Sequence, residues 1–155
     1  MYSKILVAVD GSDTSRHALQ QAIELTRNLS AKLRIVNVVD MGWLPIGSEI
    51  AIDTGPVYAA RRDAGGKIIA AARETAQKAG IEAEAALIET EMPTQHVAEA
   101  IAREASRWPA DLVVLGTHGR RGFQRLMLGS VAEQMARLSA GLLLLVPSPT
   151  GSPSD

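Results

Sequence analysis

Two stretches of this chain, Ile5–Val9 and Leu112–Leu115, are apolar at every position yet too short to be helices. A strand with one face in water alternates between apolar and polar residues. One that is apolar throughout must be covered on both faces, the condition of a parallel sheet held between two helical layers. Parallel strands cannot be joined by tight hairpins, so the segments between them must be crossovers, usually helices. Leu33–Val39 reads as a further strand rich in branched residues. Ala83–Glu89 is a weaker one, with Leu87 and Ile88 as its large apolar residues, and Leu142–Val146 is the last.

Between these runs the apolar period changes to that of a helix. Leu19, Ala22, Ile23, Thr26 and Leu29 share one face, after a capping candidate at Ser12 or Asp13. Tyr58, Ile68, Ile69, Ala72, Ala76 and Ala79 mark a second helix that stops at Gly80. Within it the pair Gly65-Gly66, which weakens a helix by ~2 kcal/mol relative to alanines, predicts a kink or a late start. Pro93 is placed to open a third helix through Val97, Ala98, Ile101, Ala102 and Ala105. Val131, Ala132, Met135, Ala136 and Leu138 give a short fourth. Strand and helix thus alternate four times before a final strand, the order of an open, doubly wound α/β parallel sheet with helices on both faces. Residues 1–146 are expected to form one domain and 147–155, rich in Pro, Ser and Gly, a flexible tail. The long connection Met41–Pro56 has the length of a lid, a binding element or a disordered loop, and Trp43 in it could be a lid or interface aromatic.

Composition removes several functional classes. With 155 residues the chain suits one domain. Lys plus Arg number 16 against 17 for Asp plus Glu, so the basic excess of a general nucleic-acid binder is missing. The absence of cysteine excludes disulfides, zinc knuckles, iron–sulfur clusters and thiol chemistry. No second histidine or carboxylate pair gives metal-ligand spacing, so no transition-metal site is expected. The apolar runs at Ile5–Val9 and Leu142–Val146 are too short for a signal-peptide core or a membrane span, and the expected location is the cytoplasm.

In open α/β sheets ligands bind beyond the carboxyl ends of the strands, where the order of strands reverses. Two strand ends are dense in glycine and polar residues: Asp10-Gly11-Ser12-Asp13, and Gly116-Thr117-His118-Gly119-Arg120-Arg121-Gly122 running on to Gly129-Ser130. Their density predicts that the first and fourth strands are neighbours with one site between them. Gly116 and Gly119 permit close backbone approach or positive φ. Gly129-Ser130 opens a helix whose free N–H groups, at Ser130 and Val131, favour an anion, and Arg120, Arg121 and Arg125 could face phosphates. The plainer alternative, a helix cap at Gly129-Ser130 and a turn at Gly116, stays open on spacing alone. Neither G-x-x-x-x-G-K-[ST] nor G-x-G-x-x-G is present where a P-loop or a dinucleotide site would need it.

Gly116-x2-Gly119-x9-Gly129-Ser130 resembles the G-2x-G-9x-G-[ST] motif of the ATP-binding universal stress proteins, and Ile5–Ser12 is similar to that family's first strand and loop. The resemblance implies the strand order 3-2-1-4-5 and a site for ATP, with ADP or AMP as alternatives and Mg²⁺ carried on the nucleotide. It implies that Ala8, Val9 and Asp10 border adenine and ribose, with Asp10 near ribose hydroxyls or a metal-bound group. By the same resemblance Val38 touches adenine, Leu115, Gly116, His118 and Gly119 line the ribose and phosphate path, and Gly129, Ser130 and Val131 hold phosphates. It also implies a homodimer through the fifth strand, an edge with four leucines and no charge, and a regulatory stress-response module with at most slow ATP hydrolysis. Two other functions compete. One is an ATP-using enzyme of the AMP-forming pyrophosphatase type, which Asp10–Ser15 resembles faintly, and the other is a nucleotide-free dimeric scaffold. His17 and His96 read as solvated surface residues, Trp108 as packing, and the Glu82–Glu91 carboxylates as a solvated strand face.

Overall fold

The computed structural model describes residues 2–42, 53–91, 95–118, 128–139 and 141–149. Its elements run β1 (Lys4–Ala8), α1 (Asp13–Leu29), β2 (Lys32–Val39), α2 (Gly55–Lys78), β3 (Ala83–Glu89), α3 (Val97–Arg107), β4 (Leu112–Gly116), α4 (Ser130–Leu138) and β5 (Leu142–Val146). The five strands form one parallel sheet in the order β3-β2-β1-β4-β5, so the first and fourth strands are neighbours as their polar ends predict.

The uninterrupted apolar runs are explained by position. Ile5, Leu6 and Val7 of the central strand are each 0% exposed. Ile5 and Val7 pack with Leu33, Ile35 and Val114 beneath α1 and α2, while Leu6 packs with Val36, Val113 and Leu115 beneath α3 and α4. At its amino end β1 is fixed by Asp111, whose carboxylate accepts the Ser3 N–H at 2.8 Å, the Ser3 hydroxyl at 2.9 Å and the Lys4 N–H at 2.9 Å. Those donors, the Ser3 backbone N–H foremost, hold the Asp111 carboxyl below its ordinary pKa. Nearby Trp108, expected as packing, also carries the cations of Lys4 and Arg34 5.3 Å and 5.6 Å from its ring centre.

Two local expectations are corrected. First, α2 starts early, at Gly55 with Pro56 in its first turn, and runs without a break through Gly65-Gly66. The two glycines differ in surroundings. Gly65 is buried against the sheet, where a Cβ would come within 2.7 Å of Asn37 Oδ1 and 2.8 Å of Leu87 Cδ1, whereas a Cβ on Gly66 meets nothing within 4 Å. Close approach to the sheet therefore accounts for the first glycine, and packing holds the helix together across both. Second, α3 begins at Val97, not near Pro93, which lies outside the described residues. Before it, Gln95 N–H donates to Glu91 O at 3.1 Å and Glu91 N–H donates to Gln95 Oε1 at 2.7 Å. The Glu82–Glu91 carboxylates are exposed, as expected, and three of them, Glu84, Glu89 and Glu91, pair at the surface with Arg34, Arg62 and Arg103. The expected strand boundaries otherwise shift by a residue at most, and no helix among the described residues is long and apolar enough to cross a membrane. Most of the Met41–Pro56 connection, Trp43 included, lies outside the described residues.

The two glycines of α2 should respond oppositely to alanine. Gly66→Ala is expected to stabilise by about 0.5–1 kcal/mol, as alanine does in a helix interior, and to raise Tm by a few degrees. Gly65→Ala should lower Tm, because the new methyl overlaps Asn37 and Leu87. A thermal melt followed by circular dichroism decides both, and equal shifts would contradict the packing difference.

Candidate functional site

Beyond Ala8 the central strand leaves the sheet in a few tightly bonded steps. Val9 N–H still donates to Val36 O at 2.9 Å, but the Val9 carbonyl accepts from a side chain, Asn37 Nδ2, at 2.7 Å. Asp10 Oδ1 then accepts the Ser12 N–H at 2.9 Å, and Gly11 turns the chain with φ of 84°, a left-handed conformation that glycine adopts freely. Of the two capping candidates Ser12 is the cap: its hydroxyl accepts the Ser15 N–H at 3.1 Å and its carbonyl accepts the Ser15 hydroxyl at 3.1 Å. Ser15 Oγ also receives the Asp10 N–H at 3.2 Å, so one buried serine ties the strand end to the helix start.

The end of β4 is built against the same turn. Gly116 lies so close to α1 that a Cβ would sit 2.7 Å from Thr14 Cγ2 and 3.2 Å from the Thr14 carbonyl carbon. The first glycine of the motif is thus required by helix packing. The next residue, Thr117, joins three elements: its N–H donates to Val146 O at 2.9 Å, and its carbonyl accepts the Gly129 N–H at 2.7 Å. That second bond closes the long glycine-rich segment, bringing its end back to its beginning. Gly129 is the N-cap of α4, and the helix starts at Ser130 as the sequence predicts. Its φ of −61° is one any residue adopts, so backbone freedom does not explain glycine there. The first-turn N–H groups of α4, at Ser130 and Val131 among others, point out of the helix without intrahelical acceptors.

The structure therefore gathers Ala8, Val9, Asp10, Gly116, His118, Gly129, Ser130 and Val131 around the carboxyl ends of β1 and β4, at the point where strand order reverses. His118 is half-buried, with Nδ1 3.0 Å from Thr117 Oγ1. Val38 stands one strand over, at the end of β2, and packs on the α3/α4 side together with Ala8. The Leu115 side chain is buried in the core on that side, so only its peptide groups face the strand end. Gly119, Arg120, Arg121 and Arg125 lie outside the described residues. Among the described residues no group of three His, Cys, Asp or Glu could hold a metal ion.

Asn37, Ser15 and Thr117 are the structural determinants that motif reading missed. Asn37 left one usable signal, an amide in the middle of an otherwise branched apolar run. The segment after β5, expected to be loose, is held at its start: the Pro147 carbonyl accepts from His17 Nδ1 at 2.9 Å, and Ser148 Oγ lies 2.9 Å from Thr14 Oγ1. His17 is therefore half-buried and bonded, not solvated, and a carbonyl partner requires the proton on Nδ1.

Packing at Gly116 predicts a paired effect. Gly116→Ala should lower Tm, and adding Thr14→Ser, which removes the methyl lying 2.7 Å from the new carbon, should recover part of the loss. Additive melting shifts in the double variant would contradict the contact.

The family model described as the universal stress protein family matches residues 1–147. The universal stress protein YxiE of Bacillus subtilis is 32% identical over 160 residues, covering 94% of this chain and 99% of the relative. A solved universal stress protein family structure from Burkholderia pseudomallei is 35% identical with a TM-score of 0.76, covering 94% of this chain and 96% of that one. Another, a universal stress protein solved in complex with cAMP, is 26% identical with a TM-score of 0.68, covering 96% and 99%.

Proposed function

Since the chain belongs to the universal stress protein family, we propose that it binds an adenine nucleotide, ATP with Mg²⁺, between the carboxyl ends of β1 and β4. The observation that supports this best is the Gly129 N–H to Thr117 O bond of 2.7 Å, which sets the start of α4 beside the end of β4. Phosphates would meet the free N–H groups and the hydroxyl of Ser130 at that helix start, where the helix dipole also favours negative charge. Adenine would lie between Ala8 and Val38, with Val9 and Asp10 at the ribose. Gly119 and Arg120 are assigned to the phosphate path by the motif alone. The relative solved with cAMP supports an adenine ligand. Mg²⁺ commonly binds through phosphates plus one or two carboxylates, and Asp10 is a carboxylate at this strand end.

The role we propose is that of a regulatory stress-response module in the cytoplasm with at most slow hydrolysis. The pyrophosphatase-type alternative is less well supported, because the Ser12 and Ser15 hydroxyls of its loop are occupied in capping α1. Gly129→Val should weaken Mg·ATP binding at least tenfold by calorimetry, about 1.4 kcal/mol. Unchanged affinity in the folded variant would place the site elsewhere. Asp10→Asn keeps the oxygen that accepts the Ser12 N–H but removes the charge. Its apo Tm should match wild type while Mg·ATP affinity falls, and a wild-type affinity would remove Asp10 from the site.

We also infer a homodimer through β5. The two edges of the sheet differ in chemistry. β3 carries Glu84 and Glu89, charges that discourage further pairing, whereas β5 carries none and leaves Leu142 52% and Leu144 36% exposed. A second copy meeting β5 by a two-fold axis would cover both. Sedimentation at micromolar concentration is expected to give twice the chain mass, and Leu144→Lys a monomer. A wild-type chain that sediments as a monomer would overturn the assembly.

A further inference from the structure

Asn37 is a polar side chain on a strand whose other inward positions are Leu33, Ile35 and Val39, and it is only 5% exposed. An amide buried there without a partner would be costly. Its partner is the Val9 carbonyl, 2.7 Å from Nδ2. Because a carbonyl accepts and cannot donate, the amide must present its nitrogen to Val9 and its oxygen to the other side. On that other side lies Gly65 of α2, where a Cβ would come within 2.7 Å of Oδ1. The strand turn and the helix glycine therefore hold one amide in one orientation.

The consequence falls on Val38. In a parallel ladder alternate residues address the same neighbour. Val36 O accepts from Val9, so Val36 and Val38 turn their peptide groups toward β1, while Val39 O accepts from Thr90 on the β3 side. Continuing the ladder would send the Val38 N–H to the Val9 carbonyl. The Asn37 side chain bonds that acceptor, and among the described residues no backbone bond joins Val38 to Val9. The Val38 N–H and C=O thus face the gap that β1 leaves, one donor beside one acceptor. A ring edge with an acceptor nitrogen next to an amino group complements that pair. A purine bearing a ring N–H next to a carbonyl has the opposite polarity.

We propose that Asn37, seated by Gly65, is the positioning residue that releases the Val38 peptide from the sheet and so makes the base end of the site selective for adenine over guanine. The proposal rests on the nucleotide reading above, and its test separates the two. Amide-proton exchange by NMR on the nucleotide-free protein reports directly on Val38. Its N–H should exchange quickly in wild type and at least tenfold more slowly in Asn37→Leu, where Val9 O becomes available to it. Calorimetry with ATP and GTP reports on selectivity. Wild type should prefer ATP, and the preference should fall at least fivefold in Asn37→Leu and in Gly65→Ala, while the affinity gained from AMP to ATP stays constant because the phosphates sit at α4. Asn37→His, which keeps a ring N–H, should restore much of the preference. If Asn37→Leu does not fold, Gly65→Ala carries both measurements. A Val38 amide already protected in the nucleotide-free wild type, or an ATP preference unchanged in the folded variants, would overturn the role of Asn37 alone. A wild type that binds neither nucleotide but shows the expected exchange at Val38 would overturn the nucleotide reading and the selectivity, and leave the release of Val38 standing.

Discussion

The structure depends on the complete burial of β1. Ile5, Leu6 and Val7 have no access to water on either face, so every peptide group along them must be paired within the protein. Only a strand on each side satisfies that, and only a helical layer above and below satisfies the side chains. β2 and β4 supply the first, and α1 with α2 and α3 with α4 the second. At the amino end Asp111 fixes the entry of the strand with three hydrogen bonds. At the carboxyl end β1 must exchange strand partners for others without leaving a buried peptide group unpaired, and that exchange shapes the candidate site.

How the exchange is made explains residues that look functional but act first in packing. Gly116 opens the phosphate-type motif, yet its lack of a side chain is what lets α1 approach at Thr14. Asp10 lies where a ligand would be expected and already holds the Ser12 N–H of its own turn. Ser12 and Ser15 occupy each other in the cap. Thr117, by contrast, spans β4, β5 and α4 through its backbone, and any change in the end of β5 bears on the start of α4 through it. The same chain thus connects the apolar edge of the sheet to the helix start assigned to phosphate.

Charged pairs stand at both ends of the sheet. Arg34 reaches Glu84 on β3 and the nearly buried Glu104 on α3, at 2.8 Å and 2.7 Å, close to Trp108 and far along the strands from the glycine motif. The exposed pairs on α2 and α4, such as Lys67 with Asp63 and Arg137 with Glu133, contribute ~0–1 kcal/mol each. Ion pairs also stand at the carboxyl end of β3, where Arg62 meets Glu89 and Arg103 meets Glu91 just beyond it.

The sequence by itself determined the fold class, the element order and the two strand ends that meet. Apolar runs of strand length and helical spacing are local consequences of burial, and burial on two faces leaves no other arrangement for Ile5–Val9. It also placed the start of α4 at Gly129-Ser130, because a helix start is set by its own neighbouring residues. Tertiary structure decided what depends on atoms distant in the chain. Gly65-Gly66 reads as a break in sequence, and only the sheet beneath α2 shows that one glycine admits Asn37 and Leu87 while the other faces open space. Asn37 and Val9 are 28 residues apart, and no local period reveals that the amide of one takes the carbonyl of the other. Local chemistry is written along the chain, whereas the partner of a buried polar group is fixed only when the strands come into register.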